Sequence, residues 1–193
     1  MHTSPAPSPW LQRWVHLLPP GGRVLDLACG SGRHLRWLAE SGFQVTGIDR
    51  DAAALAASQD LADAGRAELI AADIENSPWP CPGRQFDAVV VTNYLWRPLW
   101  PQLLASLAPG AVLVYETFAA GNASVGKPSR PDFLLQPGEL LARCAGLHTV
   151  AYEDGFLDAP PRFVQRVVAL QAAAGLAADT APPRHRLQPP AAG

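Results

Sequence analysis

The sequence predicts an α/β fold, a Rossmann-like seven-stranded, mostly parallel sheet with helices on both faces and a C-terminal antiparallel hairpin. Two features of the sequence support this prediction. First, short apolar strands alternate with helical stretches along most of the 193 residues, an order typical of parallel sheets. Second, the strand at residues 23–27 runs directly into the glycine turn Ala28-Cys29-Gly30-Ser31-Gly32. Glycine lets the backbone bend sharply and approach a ligand, and the helix that follows offers free N–H groups to it.

The strands and helices follow one another in an order that fits this fold. The fourth strand is a continuous apolar run, as expected of a strand buried on both faces of a sheet. The last two strands are close enough in sequence to form a hairpin. The predicted strands are residues 23–27, 44–48, 67–72, 86–92, 111–115, 148–155 and 162–172. The predicted helices include residues 8–18, 52–64 and 137–144.

Acidic residues follow the first three strands at informative positions. Asp26 precedes Gly30 by four residues, and Leu35 stands where the dinucleotide fingerprint G-x-G-x-x-G has its third glycine. Asp49 lies nineteen residues after Gly30, a spacing that suits a carboxylate gripping a ribose diol. Asp49 could instead cap the next helix, although Asp51 is also free to do so.

This pattern resembles motif I of the class I S-adenosylmethionine-dependent methyltransferases, in particular the tellurite-resistance and ubiquinone-biosynthesis type, over about residues 10–170. The resemblance implies a Rossmann-like fold, S-adenosylmethionine as cofactor and in-line methyl transfer, but it does not identify the acceptor. We expect a small-molecule acceptor, because the chain is short and shows no added nucleic-acid module. It also implies that the glycine turn holds the methionine end of the cofactor, while Asp73 binds the adenine amine and Ile74 packs on the ring. The cofactor-binding residues expected from it are Asp26, Ala28, Cys29, Gly30, Gly32, Arg33, Asp49, Arg50, Asp73, Ile74 and Asn93.

Candidate residues for the acceptor chemistry lie after the strands, because open parallel sheets gather ligands at the carboxyl ends of their strands. Tyr94, Glu116 and His34 are candidate proton acceptors, although each could equally be a pocket wall, an ion-pair partner or a cofactor contact. The glycine- and proline-rich connection at residues 119–133 is a candidate substrate lid. Candidate substrate-binding residues are Trp96, Arg97, Lys127 and Arg130. The last three could close over an anionic acceptor, or their charges could simply be solvated.

Composition restricts the partners. The net charge is −2, from 15 basic and 17 acidic residues, which argues against nucleic acid as a partner. Without a long apolar run or a signal-like N-terminus, we expect a cytoplasmic protein and no membrane partner. The three cysteines are too few and too scattered for a metal site, and we expect reduced thiols. The oligomeric state stays open.

The expected domain covers residues 10–173, and residues 1–9 and 174–193 are expected to be mobile because they are rich in Ala, Pro and Ser. Two other functions remain as alternatives. A single-domain nicotinamide-dependent oxidoreductase would also use a glycine turn, but the missing third glycine argues against it. A non-catalytic cofactor-binding regulatory module would keep the same acids without turnover.

Overall fold

A computed structural model describes residues 6–173 and 183–189. Its sheet has seven strands in the order β3-β2-β1-β4-β5-β7-β6. Strands β1 to β5 pair in parallel, whereas β7 is antiparallel to both β5 and β6. This arrangement confirms the predicted fold class. The strands are β1 (Arg23–Leu27), β2 (Gln44–Asp49), β3 (Ala67–Ala71), β4 (Phe86–Thr92), β5 (Leu107–Phe118), β6 (His148–Asp158) and β7 (Pro161–Leu170).

Within the described residues, six short α-helices accompany the sheet: α1 (Pro9–Trp14), α2 (Arg33–Glu40), α3 (Ala52–Ala56), α4 (Gln59–Asp63), α5 (Trp100–Ala105) and α6 (Glu139–Arg143). The helix predicted at residues 52–64 is in fact two helices. The break falls at Ser58, a buried residue whose hydroxyl donates to Ser31 O in the glycine turn at 3.1 Å. Asp51 caps α3 by accepting hydrogen bonds from the next turn, as the sequence suggested.

Strand β5 is longer at both ends than predicted. Its start at Leu107 pairs with Phe86 of β4, across a register shift. Its end at Phe118 pairs with Val164 of the antiparallel strand β7. The extension depends on partners that are distant in sequence, so the local apolar pattern did not reveal it.

Apolar side chains of the sheet belong to two hydrophobic cores, one on each face of the sheet. Alternate residues of β1 point to opposite sides, so that Leu25 belongs to one core and Val24 to the other. The second core also contains Trp10 and Trp14 of α1, both buried, with ring centroids 5.6 Å apart. The N-terminal tryptophans are therefore structural, and helices cover both faces of the sheet.

Helix α2 packs very closely on the sheet, although it lacks the third glycine of the dinucleotide fingerprint. Leu35 of α2 is fully buried and lies over Gly47 of β2. A Cβ at Gly47 would collide with Leu35 Cδ1 and would lie 3.0 Å from Cys29 Sγ. The glycine that permits the close contact is thus in the strand rather than in the helix.

The predicted domain boundary at residue 10 lies one residue inside helix α1. Pro9 starts α1, and Ser8 is buried and caps that helix. Within the predicted tail, residues 183–189 are described, and Arg186 O lies 2.9 Å from His16 Nε2. The remaining parts of the two segments expected to be mobile, residues 1–5, 174–182 and 190–193, lie outside the described residues. None of the described helices has the length and apolar character needed to cross a membrane.

The Leu35 and Gly47 contact yields a stability prediction. Gly47→Ala should lower the free energy of unfolding by about 1–3 kcal/mol, because overpacking forces buried neighbours to shift. Gly146→Ala is the control, since a Cβ there meets nothing within 4 Å. Urea unfolding of both variants measures the difference. Equal stability of the two variants would contradict the close packing of α2 on β2.

Candidate functional site

A cleft of about 360 Å³ opens at the carboxyl ends of the parallel strands. It lies where strand order reverses, since β2 and β3 extend to one side of β1 and β4 and β5 to the other. Open α/β sheets bind ligands at such a crevice. The lining residues are Ala28, Asp49, Arg50, Ala72, Asp73, Ile74, Glu75, Asn93, Tyr94, Leu95, Thr117, Phe118, Pro128 and Phe133.

The glycine turn after β1 lines the cleft through Ala28 and is hydrogen-bonded to Asp49. Ala28 and Gly30 have φ values of 53° and 56°, in the left-handed region. Asp49 accepts hydrogen bonds from Gly30 N at 2.7 Å and from Asp51 N at 2.9 Å, one on each carboxylate oxygen. A carboxylate has about four acceptor positions, so roughly two remain for hydroxyl groups of a ligand.

Asp73 is held in one orientation on the same wall of the cleft. Its Oδ1 accepts from Glu75 N at 3.0 Å and from Asn76 N at 3.3 Å, and its Oδ2 accepts from Asn76 Nδ2 at 2.9 Å. The side-chain bond from Asn76, followed by the backbone bonds, lowers the pKa of Asp73 below its ordinary value. The ionised carboxylate keeps an acceptor position for a ligand amine, with Ile74 beside it.

Tyr94 and Glu75 form a hydrogen-bonded pair in the cleft. The Tyr94 hydroxyl donates to Glu75 Oε1 at 3.2 Å. Burial, followed by the charge of Glu75, raises the pKa of Tyr94 above its ordinary value. Tyr94 is therefore a hydroxyl donor at neutral pH, which does not fit its predicted role as a proton acceptor. Glu75 was missed by the sequence analysis, although it follows Asp73-Ile74 directly.

The methyltransferase family named "Methyltransferase domain" matches residues 24–109. Residues 24–109, a little less than half of the chain, are thus similar to a methyltransferase domain. The match spans β1 to the start of β5 and includes the glycine turn, Asp49 and Asp73. S-adenosylmethionine is the cofactor of this family, as the sequence resemblance implied.

Individual relatives agree with this assignment. The chain is 39% identical over 97 residues to the putative methyltransferase YqeM of Bacillus subtilis (strain 168), which covers 48% of this chain and 39% of the relative. It is 31% identical over 121 residues to malonyl-[acyl-carrier protein] O-methyltransferase of Pectobacterium atrosepticum, covering 58% of this chain and 46% of the relative. The chain thus spans less than half of the length of these curated relatives.

Solved structures share the fold of the methyltransferase domain. TehB from Haemophilus influenzae superposes with a TM-score of 0.64 at 20% identity, covering 79% of this chain and 58% of TehB. A TehB-like S-adenosylmethionine-dependent methyltransferase from Corynebacterium glutamicum gives 0.59 at 21% identity, covering 79% of this chain and 82% of that one.

The structure brings only some of the predicted site residues into the cleft of the methyltransferase domain. Those that line it are Ala28, Asp49, Arg50, Asp73, Ile74, Asn93 and Tyr94. The predicted residues that lie outside the lining are Asp26, Cys29, Gly30, Gly32, Arg33, His34, Trp96, Arg97, Glu116, Lys127 and Arg130.

Glu116 is an ion-pair partner inside the protein. Its carboxylate is 1% exposed and accepts from Ser8 Oγ at 3.0 Å. Arg162 and Arg166 approach it to 3.6 and 3.3 Å. This environment does not favour the predicted role of Glu116 as a proton acceptor, because the carboxylate is buried beside two arginines and lies outside the cleft lining.

His34 is buried beneath the turn and is neutral. Ser8 N donates to its Nε2 at 3.1 Å, so the proton sits on Nδ1, which lies 3.4 Å from Thr92 Oγ1. Burial, followed by the charge of Arg33, lowers the pKa of His34 to about 3. With its lone pair already used, His34 does not fit the predicted role of proton acceptor.

Three further predicted cofactor-binding residues lie in or beside the glycine turn but outside the cleft lining: Asp26, Cys29 and Arg33. Asp26 is 1% exposed, and its Oδ2 finds no hydrogen-bond partner within the described residues. Burial raises the pKa of Asp26 to about 7 and also raises the pKa of the Cys29 thiol. Burial lowers the pKa of Arg33 below its ordinary value. These residues support the turn rather than the open surface of the cleft.

The predicted substrate-binding cations are engaged elsewhere or exposed. Arg97 pairs with Glu139 through Nε at 2.7 Å and Nη2 at 2.8 Å. Arg130 is exposed and pairs with the neighbouring Asp132 at 2.9 Å. Lys127 is exposed outside the cleft lining, and Trp96 lines a small neighbouring groove that shares Ile74 and Glu75 with the cleft.

The Glu116 cluster yields a stability prediction. Glu116→Gln should cost roughly 3–5 kcal/mol of unfolding free energy, because it leaves largely buried arginines without their counter-charge. Glu153→Gln is the matched control: Glu153 also pairs with Arg166, but it is 41% exposed, so its loss should cost below about 1 kcal/mol. Urea unfolding measures both. A cost at Glu116 no larger than at Glu153 would refute the buried ion pair.

The buried Asp26 and His34 yield a pH prediction. Asp26 has a pKa of about 7 in the fold, above its ordinary 3.8, so its contribution to stability is full below pH 3.8 and is lost as the pH rises to about 7. His34 has a pKa of about 3, below its ordinary 6.5, so its contribution is gained as the pH rises from about 3 to 6.5. The two slopes oppose each other between pH 3.8 and 6.5.

Asp26→Asn should remove the falling slope, so that the stability of this variant rises between pH 3.8 and 6.5 and exceeds that of the unaltered protein above pH 7. Urea unfolding across this pH range makes the measurement. Asp63→Asn, which alters an exposed carboxylate, should leave the profile unchanged. Identical profiles for the two variants would show that Asp26 does not titrate as described.

Proposed function

We propose that this protein is an S-adenosylmethionine-dependent methyltransferase that methylates a small molecule by in-line transfer. The observation that carries the proposal is the pair of oriented carboxylates, Asp49 and Asp73, on one wall of the cleft beside the glycine turn. Both keep acceptor positions after their bonds within the protein are counted. Hydroxyl and amine donors are what such positions bind.

Residues of the cleft fit the parts of this cofactor. The free positions of Asp49 suit the ribose hydroxyls, and Asp73 suits the adenine amine, with Ile74 against the ring. The left-handed backbone at Ala28 and Gly30 lets the turn approach the methionine end closely. When bound, the cofactor would supply an electrophilic sulfonium methyl group; the acceptor lone pair would form the new bond while the C–S bond electrons stay on sulfur, and any acceptor proton would be lost to bulk solvent when the product leaves the cleft.

The protein's own contribution to this reaction is alignment. Methyl transfer from a sulfonium needs the acceptor atom placed in line with the methyl group and shielded from water. Tyr94, His34 and Glu116 have environments that do not favour proton abstraction, so we assign none of them as a general base. The rate then depends on how well the walls of the cleft hold the acceptor.

The two other functions have less support. An oxidoreductase of the dinucleotide-binding type would use a second mononucleotide half, whereas here the sheet continues into the antiparallel strands β6 and β7. A regulatory module would bind the cofactor without turnover.

One relative is named for malonyl-acyl carrier protein as acceptor. For this chain we propose a free small molecule rather than nucleic acid, because its charges are balanced. Three free, buried thiols suit a reducing compartment, and we propose the cytoplasm.

Calorimetric titration with S-adenosylhomocysteine tests the cofactor site. The unaltered protein should bind it in the micromolar range, and Asp49→Asn and Asp73→Asn should each weaken binding by about tenfold or more, about 1.4 kcal/mol. Asp51→Asn is the control, because this residue caps α3 and lies outside the cleft lining. The absence of binding at millimolar concentration would end the proposal. Turnover of labelled cofactor with a metabolite extract separates an enzyme from a regulatory module.

A further inference from the structure

Charge is unevenly divided along the cleft. The charged lining residues all follow β2 and β3, and they are Asp49, Arg50, Asp73 and Glu75. The lining residues from the ends of β4 and β5 and from the connection after β5 carry no charge. They are Asn93, Tyr94, Leu95, Thr117, Phe118, Pro128 and Phe133. If the cofactor occupies the β1 to β3 half, as proposed above, the uncharged half is left for the acceptor.

Arginines near this uncharged half are committed to partners within the protein. Arg97 makes a two-point ion pair with Glu139, and the side-chain bond from Arg97 is the first cause that lowers the pKa of Glu139, to about 2. Arg162 and Arg166 neutralise Glu116. Among the described residues, no cationic side chain lines the β4 and β5 half of the cleft.

Arg97 has a further role that its ion pair does not explain. Its Nη1 donates to Asp132 O at 2.8 Å and its Nη2 to Leu134 O at 2.9 Å. These two carbonyl groups flank Phe133, whose ring lines the cleft. Arg97 is thus a positioning residue that fixes the backbone on both sides of Phe133.

These observations define the chemistry of the acceptor. An anionic group enclosed here would lose water without gaining a counter-charge from the protein, which is costly. A flat apolar body would instead bury area against Phe118, Phe133 and Pro128 and gain aromatic contacts. We propose that the methyl acceptor is an uncharged molecule with an apolar or aromatic body, held against these three residues. The proposal rests on the proposed function, because that function places the cofactor in the other half.

Two probes of matched size test the acceptor class: 2-naphthol, which is neutral at neutral pH, and 2-naphthoate, which is anionic. Each is titrated into the protein by calorimetry, with and without S-adenosylhomocysteine. We expect 2-naphthol to bind at least about tenfold more tightly than 2-naphthoate. Equal or tighter binding of 2-naphthoate, with or without S-adenosylhomocysteine, would overturn the proposed acceptor class. Failure of S-adenosylhomocysteine to bind would overturn the cofactor assignment alone.

Variants locate the probe. Phe133→Ala should weaken 2-naphthol binding by about tenfold while leaving S-adenosylhomocysteine affinity unchanged. Phe156→Ala is the matched control, because Phe156 is exposed to a similar extent, 44% against 39%, but lies outside the cleft lining. Arg97→Gln should also weaken 2-naphthol binding and should speed hydrogen exchange at residues 131–135. If Phe133→Ala and Phe156→Ala had the same effect, the acceptor would not lie where we place it.

Discussion

The reversal of strand order at β1 is the constraint on which the site depends. β1 has β2 on one side and β4 on the other, so the connections that leave β1 and β4 run in opposite directions and leave a gap at the carboxyl edge of the sheet. The lining residues come from the ends of β2 and β5, from the segments that follow β1 to β4 and from the connection after β5. Topology therefore creates the cleft, and the side chains decide only what can fill it.

Asp49 joins the structural and the ligand-binding parts of this arrangement. Its two carboxylate oxygens hold the turn after β1, through Gly30 N, and the start of the segment after β2, through Asp51 N. A carboxylate already fixed by two N–H groups loses little further freedom when a ligand binds, so less of the binding energy is spent on ordering it. The same residue can therefore stabilise the backbone and bind a hydroxyl group without conflict.

Local patterns predicted the parts of the fold and site that depend on local chemistry. The bounds of β1 and β4 agree with the predicted strands, because each is an apolar run with a clear boundary. The cleft acid Asp49 was predicted from its spacing to Gly30, whereas Asp73 was predicted from the family resemblance. The break in the helix at residues 52–64 and the burial of Glu116 were not predicted. Both depend on groups far away in sequence, Ser31 in one case and arginines of β7 in the other.

Arg97 shows why a basic residue after a strand does not by itself indicate an anionic substrate. A guanidinium has five N–H groups, and here its bonds to Glu139 and to the carbonyl groups flanking Phe133 engage all three nitrogen atoms. If Arg97 bound a substrate carboxylate, it would exchange its ion pair with Glu139 for another of similar strength. It would also release the backbone carbonyl groups that hold Phe133 in place, so the exchange would bring no net gain in binding free energy. The arginines around the acceptor half are paired within the protein, and the surface left for the acceptor carries no charge. Such a surface suits a reaction that needs alignment and exclusion of water more than proton transfer.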